Sequence, residues 1–213
     1  DLSVSRGLGD VYKRQVPNVP EEIKRELKGY QNIRSASFRG FKSDNEGVFI
    51  STRFGDVGQL HVVDRPLGMR KQVTFFDEPI GSVSVQPNGG LIAFTMDSGG
   101  SENAQIYVMN PENGRTVLVS DGESRNGSVL WSRDGEKIAF GTTRRNGASN
   151  DVWVMDYKYP EQAKMIFASP DGTSWTPADW SKDSKKILLQ NYISVTSSRI
   201  FIVDTETVSY THL

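Results

Sequence analysis

The sequence has no cysteine and only two histidines, His61 and His212, among 213 residues. Without thiols there is no disulfide framework, no cysteine nucleophile and no thiolate metal site, and the redox compartment is left open. Long apolar runs are missing too: nowhere do about 18 consecutive apolar residues occur, so no segment reads as a membrane-spanning helix. Charge of one sign is also missing. Lys and Arg number 25 against 26 Asp and Glu, a balance that supplies no long-range field toward nucleic acid or a membrane surface, and neither is expected as a partner.

Catalytic and cofactor motifs are scarce as well. No Gly-x-Ser-x-Gly elbow, His-x-x-x-His pair or EF-hand loop occurs, so no catalytic residue, metal or cofactor is assigned. Gly7-Leu8-Gly9 precedes no helix, and the spacing of Asp97-Ser98-Gly99-Gly100-Ser101-Glu102 does not match a calcium loop. His61 sits inside an apolar strand and is read as structural.

What is present is a repeat. Four times a short apolar strand, a polar turn, a second apolar strand, a longer polar loop and a third strand follow one another. The clearest copy is Val129-Leu130-Trp131-Ser132, Arg133-Asp134-Gly135-Glu136, Lys137-Ile138-Ala139-Phe140, then Asp151-Val152-Trp153-Val154-Met155-Asp156. Third strands open at Gln59, Gln105, Asp151 and Arg199, a period of 46 to 48 residues. Fourth strands are visible at Gln72–Phe75, Thr116–Val119 and Lys164–Phe167. Each unit therefore reads as a four-stranded antiparallel sheet, and the chain as an all-β partial β-propeller of about four blades: 38–80, 81–126, 127–172 and an incomplete 173–207. Asp134-Gly135 and Asn88-Gly89 supply the positive φ that tight hairpins require. Trp131, Trp180, Trp153 and Phe201 are read as packing between sheets.

The ends depart from the pattern. Gly9 to Gln15 and Val208 to Leu213 resemble translated cloning-linker sequence, so 1–15 and 208–213 are set aside, and 16–37 is a lead-in. Within it Pro20 to Gly29 reads as a short helix, with acids early, Lys28 late and Gly29 at the stop. A propeller that ends within its fourth blade leaves sheet edges unpaired, so further blades are expected to follow.

In such blades the turns between strands one and two, and three and four, share one face. The loops between strands two and three, and from one blade to the next, share the other. On that second face the loops are long and charged, and Arg53, Asp97, Glu102, Arg144 and Arg145 are the candidate functional residues.

The runs Thr52-Arg53-Phe54-Gly55, Gln59-Leu60-His61-Val62-Val63 and Pro66-Leu67-Gly68-Met69-Arg70-Lys71-Gln72-Val73-Thr74-Phe75-Phe76 resemble the N-terminal propeller of bacterial prolyl oligopeptidase-family serine peptidases. Asp97 to Gln105, Ser124-Arg125-Asn126 and the lead-in Tyr30 to Phe38 carry the same likeness. The blade phrases by themselves are shared with TolB-type propellers. The resemblance implies a parent enzyme in which seven or eight blades cap an α/β-hydrolase domain cleaving short peptides. Its Ser, Asp and His would lie on that C-terminal domain, outside this chain, with the five loop residues facing the cavity or the hydrolase domain. The alternatives are a non-enzymatic TolB-like propeller binding protein partners, and a propeller lectin or sugar-cleaving enzyme. The last would need paired carboxylates aimed at the central channel, and no blade repeats such a pair.

Overall fold

A computed structural model describes residues 18–213 apart from Asp171. The segment 1–15 read as linker, with its Gly7-Leu8-Gly9 run, lies outside the described residues. The chain divides into two units, the first ending at Ser35 and the second running Ala36–Leu213.

In the first unit, helix α1 spans Glu21–Gln31. Glu21 and Glu22 lie in its first turn and Lys28 in its last, charges matched to the exposed amides and carbonyls of the two ends. Lys24 Nζ pairs with Glu21 at 2.6 Å. Gly29 does not end the helix, which continues to Gln31 and closes with the Asn32 amide donating to the Lys28 carbonyl at 3.1 Å. A glycine inside a helix costs about 1 kcal/mol, little enough for one more hydrogen-bonded turn to outweigh.

The second unit is four sheets, each an antiparallel meander of four strands in chain order. Blade 1 comprises β1 (Ala36–Phe41), β2 (Val48–Thr52), β3 (Gln59–Val63) and β4 (Lys71–Gln72). Blade 2 comprises β5 (Ile80–Val85), β6 (Ile92–Met96), β7 (Gln105–Met109) and β8 (Thr116–Leu118). Blade 3 comprises β9 (Asn126–Trp131), β10 (Lys137–Thr142), β11 (Asp151–Asp156) and β12 (Tyr159–Phe167). Blade 4 comprises β13 (Ser174–Trp180), β14 (Lys186–Ser194), β15 (Ser197–Asp204) and β16 (Tyr210–His212). The first strands are neighbours in sequence order, β1 beside β5, β5 beside β9 and β9 beside β13. That is the inner wall of an open propeller arc.

Strand alternation explains why the blades stack. Successive side chains point to opposite faces of a strand, and blade 3 is buried on both. Its Ile138 and Phe140 join Ala93, Ile106 and Val108 of blade 2, whereas Ala139, between them in sequence, joins Ile187, Leu189 and Val203 of blade 4. A third core sets Phe49 and Leu60 of blade 1 against Ile80, Ile92, Phe94 and Met109 of blade 2. The hydrophobic cores thus lie between sheets, one at each seam.

Trp131 and Trp180 tie the seams as well as fill them. The Trp131 indole N–H donates to the Ser84 carbonyl of blade 2 at 3.0 Å, and the Trp180 indole N–H to the Leu130 carbonyl of blade 3 at 3.3 Å. Both rings are buried while their polar atom is satisfied by the adjacent innermost strand. The hairpin turns add further ties. Gly135, at φ +75°, offers its carbonyl to Gln86 Nε2 at 2.7 Å, and the Asp134 amide donates to Ser184 Oγ at 3.1 Å. A Cβ on Gly135 would stand 2.6 Å from the Pro87 carbonyl oxygen. The Asp134-Gly135 turn therefore needs glycine for both its φ and its closeness to blade 2.

The fourth blade differs from expectation. It carries a last strand, β16, paired to β15 through Phe201↔His212, Ile202↔Thr211 and Val203↔Tyr210. So 173–207 is not the whole of the blade in this structure, and part of 208–213 holds a position in its sheet. An outer strand needs main-chain pairing and a few ring contacts, not the apolar runs by which inner strands are recognised. Tyr210 meets Phe167 edge-on at 5.4 Å, and His212 stacks on Phe201 at 4.6 Å.

Candidate functional site

Because every sheet is a meander, its four strands alternate in direction and the connections sort onto two faces. The turn face carries the short hairpins already described. The loop face carries the connections after the second and fourth strand of each blade, and its geometry rests on one repeated position.

That position is the first residue of the third strand in blades 1, 2 and 3. In blade 1, Gln59 Nε2 donates to the carbonyls of Phe76 and Glu78 at 3.0 and 2.9 Å, and the Phe76 amide donates back to Gln59 Oε1 at 3.1 Å. In blade 2, Gln105 Oε1 accepts from Ser120 Oγ and the Gly122 amide, at 2.6 and 2.9 Å, while its Nε2 donates to the Ser124 carbonyl at 2.8 Å. In blade 3, Asp151 Oδ1 accepts from the Ser169 amide at 2.8 Å. All three side chains are buried, and each staples the connection leading to the next blade. Blade 4 has Arg199, exposed, at the equivalent place. These staples were not assigned from the sequence, although the recurrence of a polar residue opening an apolar strand at 59, 105 and 151 was the signal for them.

The five candidate residues sit on loops of three blades. Arg53 is exposed on the loop of blade 1. Asp97 is half-buried and holds its own loop: its carboxylate accepts from Ser101 Oγ and from the amides of Glu102 and Ser98. The Ser101 hydroxyl, then these amides, keep that carboxyl below the ordinary aspartate range. Glu102 is exposed and adopts φ +61°, a conformation that few non-glycine residues take.

Arg144 and Arg145 are adjacent yet face different partners. Arg144 lies over the Trp153 ring with 5.1 Å to its centroid and approaches Asp121 at 3.7 Å. Burial pushes the Asp121 carboxyl up, but hydrogen bonds from Ser124 and Glu123, with Arg144 beside them, outweigh it and hold the group lowered. Arg145 instead forks onto the buried Asp151, Nε to Oδ2 at 2.7 Å and Nη2 to Oδ1 at 2.9 Å. The partners described for Asp97, Arg144 and Arg145 are thus local to the loop face. Among the described residues there is no group of three or more His, Asp or Glu able to hold a metal ion.

Four stacked meanders with cores between sheets, indole-tied seams and one face of stapled polar loops define a segment of a β-propeller. The chain belongs to the prolyl oligopeptidase N-terminal β-propeller domain family, whose model matches residues 74–211. A search of curated protein sequences returns no match. Among solved structures the chain is similar to TolB from Acinetobacter baumannii, with 19 % identity, a TM-score of 0.67 and coverage of 84 % of this chain and 43 % of that one. It is also similar to a putative TolB from Agrobacterium tumefaciens, at 17 % identity, TM-score 0.65, 81 % and 62 %. A structure from a study of two prolyl endopeptidases matches at 13 % identity, TM-score 0.66, 84 % and 29 %. At such identities the likeness is one of fold, and the chain spans less than two thirds of each of these proteins.

Proposed function

We propose that this chain is the substrate-gating propeller portion of a serine peptidase that hydrolyses short peptides. The catalytic Ser, Asp and His lie on an α/β-hydrolase domain of the same parent polypeptide. Membership of the peptidase propeller family over residues 74–211 carries the reading. The architecture is consistent with it: seams closed by buried cores keep the aperture rigid, while long loops on one face are free to meet a second domain and its substrate. On this reading Arg53, Asp97, Glu102, Arg144 and Arg145 face the hydrolase domain or the cavity it encloses.

The test is the parent reading frame and its product. The frame is expected to continue through further blades into a segment with Gly-x-Ser-x-Gly, then Asp, then His. The full-length protein is expected to label with a serine-directed fluorophosphonate and to cleave short peptides while sparing folded proteins. A frame that closes after further blades without those motifs would remove the peptidase reading. The second reading, a non-catalytic propeller that binds protein partners, is favoured by the likeness to the two TolB structures, and that same outcome would leave it standing.

A further inference from the structure

The geometry points to a carboxylate-binding pocket where the seam between blades 3 and 4 opens on the loop face, suited to the C-terminal end of a short peptide. A cavity of about 350 Å³ lies there, bounded by the start of β9, the start of β13 and the loop after β10. That volume is within the range of small-molecule sites, about 300–1,000 Å³. Arg125, Ser128, Asn150, Ser174 and Thr176 line it, and Arg125 is the one charged residue among its described lining.

Three observations converge on Arg125. Its main chain is pinned, with its carbonyl accepting from the Thr143 amide at 3.0 Å and its amide donating to Thr143 Oγ1 at 3.2 Å. Its guanidinium has no ion pair or hydrogen bond among the described residues, whereas the neighbouring Arg144 and Arg145 are engaged by Asp121 and Asp151. Beside it Ser128 adopts φ +52° where the β9–β10 register slips between Ala139 and Gly141. Bulges and left-handed non-glycine residues re-aim side chains, and they concentrate at binding sites.

Arg125 is exposed, and a guanidinium open at its fork on a pinned main chain suits the two oxygens of one carboxylate. The hydroxyls of Ser128, Ser174 and Thr176 are the neutral donors that would surround it. Phosphate fits less well, because its second negative charge calls for a second cation and the adjacent arginines are already paired. The inference rests on the peptidase reading only for the source of the carboxylate, a peptide terminus.

The experiment titrates the 213-residue chain with N-acetyl-trialanine bearing a free carboxylate and, separately, with its C-terminal amide, following backbone amides by NMR. The acid is expected to shift the amides of Arg125, Ser128 and Ser174 and to bind about tenfold more tightly than the amide, the size of one charge-assisted hydrogen bond. Arg125→Gln is expected to erase that difference with the spectrum otherwise unchanged, and Arg125→Lys, which keeps charge without the fork, to retain part of it. Equal binding of acid and amide, or a difference that survives Arg125→Gln, overturns the pocket. Inorganic phosphate binding more tightly than the acid overturns the carboxylate assignment. A parent frame without a hydrolase domain would remove the peptidase reading while leaving the acid-over-amide preference intact, so the two failures are distinguishable.

Discussion

Where blade 4 meets blade 3, an indole joins the innermost strands; where blade 2 meets blade 1, a valine does. Trp180 and Trp131 pair across their hairpins with Ile187 and Ile138, and Val85 occupies the same place opposite Ile92. The indoles fill the seam and donate a hydrogen bond across it. Val85 can only fill, and it does so by pressing on Gly40, where a Cβ would stand 2.9 Å from Val85 Cγ2. The seam between blades 3 and 4 also carries Arg133, whose Nη2 donates to both carboxylate oxygens of Asp179, at 2.6 and 2.8 Å. That pair is about half exposed at both ends and contributes little next to the buried ring. One fold thus closes its seams in two ways: a large ring with a polar tie, or a small residue meeting a smaller one.

The largest test of this contrast is Trp131→Ala, expected to lower stability by about 3–5 kcal/mol through the cavity and the unsatisfied Ser84 carbonyl. Chemical denaturation of the chain measures it. A loss no larger than that of Val85→Ala would erase the distinction between the two kinds of seam. Next comes Gly40→Ala, expected to cost about 1–3 kcal/mol by overpacking Val85 and by placing a side chain at φ +156°. The paired variant Gly40→Ala/Val85→Ala should recover part of that loss, and a double variant no better than the single would show that Gly40 is needed for its backbone rather than its size.

The smallest effect is in pH. Burial holds the His61 imidazole below its ordinary value near 6.5, so the folded state favours the neutral ring and the unfolded chain takes up the proton first. Stability from this group is complete above about pH 6.5 and declines as pH falls below it. On the β9–β10 turn of blade 3, burial pushes the Asp134 carboxyl up, but Ser132, the Glu136 amide and Ser184 outweigh it and leave the group lowered. Its contribution is present above the ordinary aspartate value and is lost only as pH falls below about 4. All four tryptophans, Trp131, Trp153, Trp175 and Trp180, belong to blades 3 and 4. Between pH 7 and 5, hydrogen exchange in blade 1 is therefore expected to accelerate while tryptophan fluorescence stays constant, and parallel changes in both would contradict the assignment.

The inner strands were legible where both of their faces are buried, because a strand covered on both sides reads as a short unbroken apolar run. Ile138, Ala139 and Phe140 show it directly, whereas β1 is mostly exposed. The outermost strands were less legible: β4 is two residues long, and β16 has no buried side chain. Such strands are held by main-chain pairing, which leaves little mark on side-chain choice. The loop-face charges were found by composition, but their partners were not. Nothing in Arg144-Arg145 distinguishes the arginine that covers Trp153 from the one that forks onto Asp151; only the fold decides that. Gln59, Gln105 and Asp151 were visible as the start of each third strand, yet a lone polar residue at a strand end has many explanations until its acceptors are in place.

Those three residues also bear on how the scaffold can be remodelled. Each ties the connection that leads into the next blade, so lengthening that connection would move the starting point of an entire sheet. The loops after the second strands, at 53–58, 97–104 and 143–150, leave the next sheet's starting point unchanged when they grow. They are the places where insertions, grafted epitopes or new recognition loops can be accepted while the blades keep their register.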